Sequence, residues 1–117
     1  YAEVLLIAAE ALNENNKTDD ALMYLNMVRE RARGGNAGIL PDITERDKDL
    51  LLDLIIDERH FELALEGHRY WDLVRTGKAD AVLGPYGFIK GTHELMPVPL
   101  SEINISEEKI SQNFGYN

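Results

Sequence analysis

An all-α fold of antiparallel helical hairpins, about four helices followed by an extended, loop-rich tail, is predicted by two observations. Apolar residues recur at helical spacing from Tyr1 to Leu83. After Gly84-Pro85, the glycines, Pro97 and Pro99 leave no room for a long helix. The organisation expected is a helical part over residues 1–83 and a tail over residues 84–117, laid over the helices. A length of 117 residues bounds the chain to one domain or a piece of one. Its 44% hydrophobic share is near the globular average and supports a packed core.

The first helix, Tyr1 to Asn13, is apolar around most of its circumference, with Glu3, Glu10 and Asn13 in one polar stripe. Such helices are covered on several sides. The chain opens with Tyr1 rather than Met. Together these features lead to the expectation of a longer parent protein, and of marginal stability for this piece alone. After a polar turn, Thr18 or Asp19 is the expected N-cap of a second helix, with Asp20 in its positive first turn. Ala21, Leu25, Val28 and Ala32 form its apolar stripe, Arg29, Arg31 and Arg33 crowd its last turns, and Gly34-Gly35 ends it. Ala9 and Ala21, with Leu5, Leu12, Leu25 and Val28 as the large positions, give the hairpin a tetratricopeptide-like spacing.

A third helix is expected from Thr44 to about Leu65, stopped by Gly67, and a fourth from Arg69 towards Leu83 with Gly77 as its weak point. Ser101 is expected to cap one short turn in the tail.

Composition removes several classes of function. Zero Cys excludes a disulfide scaffold, a thiolate zinc site and a Cys nucleophile. Against 21 Asp and Glu stand 12 Lys and Arg, a net charge of −9 that repels phosphate backbones and argues against nucleic acid as a partner. No run approaches the roughly 18 apolar residues of a membrane-spanning helix. There is no Gly-x-Ser-x-Gly elbow and no phosphate-cradling glycine loop.

The densest polar cluster, Asp57-Glu58-Arg59-His60-Phe61-Glu62, runs on into Glu66-Gly67-His68-Arg69. Leu51, Leu54, Glu58, Phe61 and Leu65 share a helical face, so Glu58 interrupts an apolar stripe and needs a partner. An acid/base pair of Glu58 and Glu62 for glycoside cleavage matches the required separation of about 5–9.5 Å. Both carboxylates, however, project from one convex face. The reading adopted is structural: Glu58 and Glu62 pair with Arg69 or Arg75 of the next helix, and no catalytic residue is assigned. His60, His68 and His93 lack the spacing of helical metal ligands, so no metal site is assigned. Tyr70, Trp71 and Val74 read as core. Tyr86 and Phe88 lie in a Gly/Pro-rich loop, where flat rings can stack on sugar faces or anchor the tail, and they are the ligand-binding candidates.

Three stretches, taken together, carry a resemblance. Tyr1-Ala2-Glu3-Val4-Leu5-Leu6-Ile7-Ala8-Ala9-Glu10-Ala11 with Leu25-Asn26-Met27-Val28-Arg29-Glu30-Arg31-Ala32 resembles the last tetratricopeptide-type hairpin of the SusD/RagB family. The run from Asp57 to Arg75 resembles that family's signature helices, and His93 to Pro99 with Gln112-Asn113 resembles its C-terminal segment. Ile105-Ser106 and Phe114 depart from the family's usual Asn-Pro and Pro at two turns. The resemblance implies the C-terminal portion of a surface-exposed outer-membrane lipoprotein whose lipid anchor lies outside this chain. It implies a glycan-capturing protein that hands its ligand to a TonB-dependent, SusC-like β-barrel transporter, with no enzymatic activity and no cofactor. The matched motifs are packing motifs and carry over no sugar-binding residue. The alternative function is a tetratricopeptide-type interaction scaffold without a small-molecule ligand, in which helical pairs would continue where this chain has Pro97-Val98-Pro99.

Overall fold

The computed structural model describes residues 1–36, 38–107 and 109–116. Among these are six α-helices, one 3-10 turn and no strand, so the all-α class holds with more and shorter helices than expected. The chain divides into two compact units, Tyr1–Arg69 and Tyr70–Asn117.

The first unit holds α1 (Ala2–Glu14), α2 (Thr18–Arg33) and α3 (Lys48–Glu62). α1 packs along both α2 and α3, while α2 touches α3 over a smaller area. Leu5, Leu6 and Ala9 of α1 meet Ala21, Leu25 and Val28 of α2 and Leu51 and Ile55 of α3 in one buried cluster. Both alanines of the tetratricopeptide-like spacing, Ala9 and Ala21, are fully buried. Ala32 does not continue the stripe; it is exposed beside the end of α2. The other side of α1 leaves Val4 63% and Ile7 52% exposed.

The α1–α2 turn closes by a Schellman arrangement: Lys17 N–H donates to Leu12 O at 2.9 Å and Asn16 N–H to Asn13 O at 3.0 Å. Asn16 adopts the left-handed conformation this requires, φ 59°, which asparagine tolerates better than most residues. Thr18 is the first helical residue, not the cap; Lys17 occupies the cap position without a side-chain bond. Gly34 ends α2 with φ 57° as expected, since glycine has no Cβ to clash there.

Between α2 and α3 the chain is extended and fastened from the side. Asn26 on α2 donates from its amide to Ile43 O at 2.9 Å and accepts from Ile43 N–H at 2.8 Å. Asn13 donates to Lys48 O at 2.9 Å. The cap of α3 is Asp47 rather than Thr44: its carboxylate accepts from Asp49 N–H at 3.1 Å and Leu50 N–H at 3.0 Å. α3 also ends earlier than expected, at Glu62, and Leu65 turns the chain through a left-handed conformation, φ 68°. Phe61 and Leu65, placed on the apolar stripe by periodicity, are exposed.

The ion pairs of α3 differ from those expected. Glu58, only 8% exposed, takes Arg29 of α2 at 2.5 Å, and Glu62 takes Arg31 of α2. Arg69 lies 3.9 Å from Asp57, and Arg75, in the second unit, chelates Asp72 from its own helix at 2.7 Å. The expected pairing of Glu58 and Glu62 with Arg69 or Arg75 is thus corrected: α2 projects its arginines across the narrow α2–α3 contact and reaches both carboxylates.

The second unit holds α4 (Arg69–Arg75) from Tyr70 onward, α5 (Ala79–Leu83), the 3-10 turn Gly84–Tyr86 and α6 (Leu100–Ile105). Gly77, the expected weak point, does break the fourth helix. Lys78 N–H donates to Leu73 O at 2.8 Å and Gly77 N–H to Val74 O at 3.1 Å, a second Schellman turn. Ser101 lies inside α6, and Pro99 holds the cap position without a side-chain bond. The C-terminal segment is clamped as the first unit's loop is. Gln112 donates to Val98 O at 2.8 Å and accepts from Val98 N–H at 2.7 Å, and Asn113 donates to Met96 O at 2.6 Å. Gly115 has φ 86°, and a Cβ there would fall 2.4 Å from Thr92 Oγ1, so only glycine fits.

Three outcomes are expected. Glu58→Gln leaves the Arg29 guanidinium buried without a counter-charge and lowers the unfolding free energy by about 3 kcal/mol. Glu62→Gln, whose partner Arg31 is 63% exposed, costs less than about 1 kcal/mol. Urea unfolding followed by circular dichroism separates the two; equal small losses would contradict the assignment. Gln112→Ala removes both bonds to Val98 and is expected to weaken that segment by about 1 to 2 kcal/mol. Faster exchange of the Val98 amide, with the core amides of the first unit unchanged, is the check.

Candidate functional site

The expected ligand-binding pair lies in the second unit, on the loop that follows α5. Leu83 O accepts from Phe88 N–H at 3.1 Å and Gly84 O from Gly87 N–H at 3.0 Å, with Gly87 left-handed at φ 97°. This third Schellman-type closure fixes the two aromatic residues on either side of Gly87. Tyr86 stands 87% exposed. Phe88 is half-buried, its ring edge-on to His93 at 5.7 Å and tilted to Tyr70 at 6.4 Å.

The pair is therefore divided in environment. Phe88 belongs to a chain of rings that runs Trp71, Tyr70, Phe88, His93 and Tyr116, with neighbouring centroids 5.0 to 6.4 Å apart. Tyr70 hydroxyl donates to His93 O, and Tyr116 hydroxyl donates to Leu95 O at 2.9 Å. Trp71, read as core from its helical face, is 52% exposed. Polar groups flank the rings. His93 Nδ1 accepts from Ile89 N–H at 3.1 Å, and the Glu94 carboxylate accepts from Gly91 N–H at 2.7 Å. That backbone bond, with the bond from its own N–H and the nearby Lys90 and His93, holds the Glu94 carboxyl below its ordinary range.

The acid/base alternative finds no support in the geometry. Glu58 and Glu62 are both engaged by arginines of α2. A cleft of about 390 Å³ beside Glu62 is lined by Tyr1, Glu3, Met27, Arg31, Glu62 and Glu66, with Glu62 already held by Arg31. The histidines are dispersed: His60 lies against Phe61 at 5.4 Å, His68 is 3.8 Å from Glu3, and His93 sits in the aromatic turn. Among the described residues no group of three or more His, Asp or Glu is placed to hold a metal ion. No helix among them is long and apolar enough to cross a membrane.

The residues that sequence reasoning missed are the amides. Asn26, Gln112 and Asn113 tie extended segments to their neighbours. The only sequence signal for them was the presence of Asn26 and Gln112-Asn113 in the stretches that carry the family resemblance.

Comparison with known proteins is consistent along nearly the whole chain. Residues 1–116 match the model of the SusD family. Two SusD-like proteins of Formosa agariphila are 40% and 41% identical over 119 and 125 residues, covering 99% of this chain in each case. Surface glycan-binding protein A from Bacteroides thetaiotaomicron superposes with a TM-score of 0.77 at 41% identity over 99% of the chain. A SusD homologue from the same organism superposes with a TM-score of 0.80 at 28% identity, also over 99%. The chain spans about a quarter of each of these proteins, 24% and 25% of the two relatives and 24% and 26% of the two structures. With helices, packing motifs and comparisons in agreement, the chain belongs to the SusD family.

Proposed function

We propose that this chain is the C-terminal part of a cell-surface glycan-binding protein that captures oligosaccharide and delivers it to a TonB-dependent, SusC-like β-barrel transporter. The observation that carries the ligand half is the exposed ring of Tyr86, held on the turn closed at Gly87, with Phe88 on the other side of that glycine packed against His93. A flat ring in that setting offers a face to the C–H side of a sugar, and the neighbouring donors and acceptors orient its hydroxyls. The name of the structurally similar surface glycan-binding protein supports this ligand class. Family membership supports the transporter as partner and the outer membrane as location, with a lipid anchor beyond this chain.

The mechanism is binding without bond cleavage. The candidate acid/base carboxylates, Glu58 and Glu62, serve as ion-pair partners of α2. The first unit supplies scaffold, and the division of the proposed sugar platform gives Tyr86 the contact role and Phe88 the supporting role.

The test is affinity electrophoresis of the full-length parent through gels containing a panel of neutral and acidic plant, algal and microbial polysaccharides. Tyr86→Ala is expected to weaken retention on the bound glycan about tenfold, the loss of roughly 1.4 kcal/mol. Phe88→Leu is expected to have a smaller effect, because the ring supports the turn instead of meeting ligand. Unchanged retention in Tyr86→Ala would remove this loop from the binding surface, and release of reducing ends from any polysaccharide would contradict the binding-only mechanism.

A further inference from the structure

The pattern aromatic-Gly-aromatic occurs twice in the second unit, as Tyr86-Gly87-Phe88 and as Phe114-Gly115-Tyr116. Both copies have the same local geometry. Gly87 and Gly115 are left-handed, with φ 97° and 86°, a conformation glycine adopts without steric cost. Each sits in a tight turn: Gly87 N–H donates to Gly84 O at 3.0 Å, and Tyr116 N–H donates to Asn113 O at 3.3 Å. The two rings of each copy are divided by the turn. Tyr86 and Phe114 stand 87% and 84% exposed. Phe88 and Tyr116 are half-buried and pack on one imidazole, that of His93, at 5.7 and 6.1 Å. The two turns therefore flank the same loop, residues 89–94. The second turn is also fixed independently of the rings. Its first residue, Asn113, donates to Met96 O at 2.6 Å, and Gly115 lies so close to Thr92 that no Cβ fits between them.

We propose that Phe114 is a second sugar-stacking residue, and that the site takes a neutral oligosaccharide long enough to lie across both exposed rings. The proposal rests on the reading of Tyr86 as the first platform. An exposed phenyl ring adds little to the fold, because burial is what makes an apolar side chain stabilising. Held on a closed turn, it has few conformations to lose when a ligand arrives, which lowers the entropic cost of contact. A phenyl ring has no donor or acceptor; it offers an apolar face, and the C–H face of a sugar ring complements it. Two such rings joined through one core act on a glycan as linked sites. Once one stretch of the chain rests on Tyr86, the next is presented to Phe114 at high local concentration. Affinity then rises with chain length, a property that a single ring does not confer. The preference for a neutral chain follows from the net charge of −9, which repels polyanions. In the loop between the two turns, Lys90 and Glu94 offset one another.

The experiment is isothermal titration calorimetry of the full-length parent with malto-, cello-, xylo- and laminari-oligosaccharides, each as a ladder from disaccharide to octasaccharide. For the ladder that binds, wild-type affinity is expected to rise about tenfold from the short members to the long ones. Phe114→Ala is expected to leave the short members bound as in wild type and to abolish the rise. Phe114→Trp keeps a flat ring on the turn and is expected to retain the rise. Tyr86→Ala is expected to weaken every member. A rise that survives in Phe114→Ala, or no rise in wild type, overturns the second platform while the Tyr86 reading stands on the loss in Tyr86→Ala. Equal weakening of short and long members in Phe114→Ala, unrestored by Phe114→Trp, overturns it as well and marks a structural role for the residue. Unchanged binding in Tyr86→Ala removes the first platform, and the two-ring site with it. Binding of none of the ladders overturns the assignment to a neutral chain.

Discussion

The buried ion pair between Arg29 and Glu58 is the constraint on which the first unit depends. α3 presents an apolar face to α1, and Glu58 falls within it at 8% exposure. A carboxylate in that position is tolerable only with a well-placed counter-charge, and Arg29 in the last turns of α2 supplies it. The pair therefore fixes the register of α3 against a helix that it touches over only a small area. Arg29 does a second task in the same position, because its Nε donates to Pro41 O at 3.0 Å and so holds the connecting loop as well. One guanidinium links α2, α3 and the segment between them.

A second device recurs in both units and does for extended chain what the ion pair does for helices. A side-chain amide offers one donor and one acceptor, the complement of a single residue's backbone groups. Asn26 uses both on Ile43 and Gln112 uses both on Val98. Segments without a strand partner or helical bonds of their own thereby have their backbone polar groups satisfied. Three Schellman-type turns, closed at Asn16, Gly77 and Gly87, complete the frame by fixing the direction in which each helix is left. The last of these sets Tyr86 on the surface and Phe88 half-buried on the other side of Gly87.

What could be read in the sequence follows from which interactions are local. The α1–α2 hairpin was legible because Ala9, Ala21, Leu25 and Val28 repeat at helical spacing, and Gly34 because a left-handed residue must end such a helix. The need of Glu58 for a partner was legible too, as a charge on an apolar stripe. Its partner was not, because a long arginine on any of several helices satisfies the same need and sequence separation says nothing about reach. The amide clamps were hidden for a similar reason: Asn26 to Ile43 and Gln112 to Val98 have no period. Tyr86 was legible as exposed from its Gly/Pro-rich surroundings. The half-burial of Phe88 was not, since its neighbours Tyr70 and His93 come from outside its own turn.

The first unit is held by its helical core and the Arg29–Glu58 pair, the second carries Tyr86 and Phe88 on a closed turn, and the function proposed for the protein is to hold a glycan and pass it on. The measurement that tests this account most directly is gentle detergent isolation of the tagged parent protein from its native envelope, with mass spectrometry of what accompanies it. The account predicts a large TonB-dependent β-barrel in near-equal amount. Recovery of soluble partners alone, or of the parent alone, would contradict it and leave a helical scaffold with an interaction role of another kind.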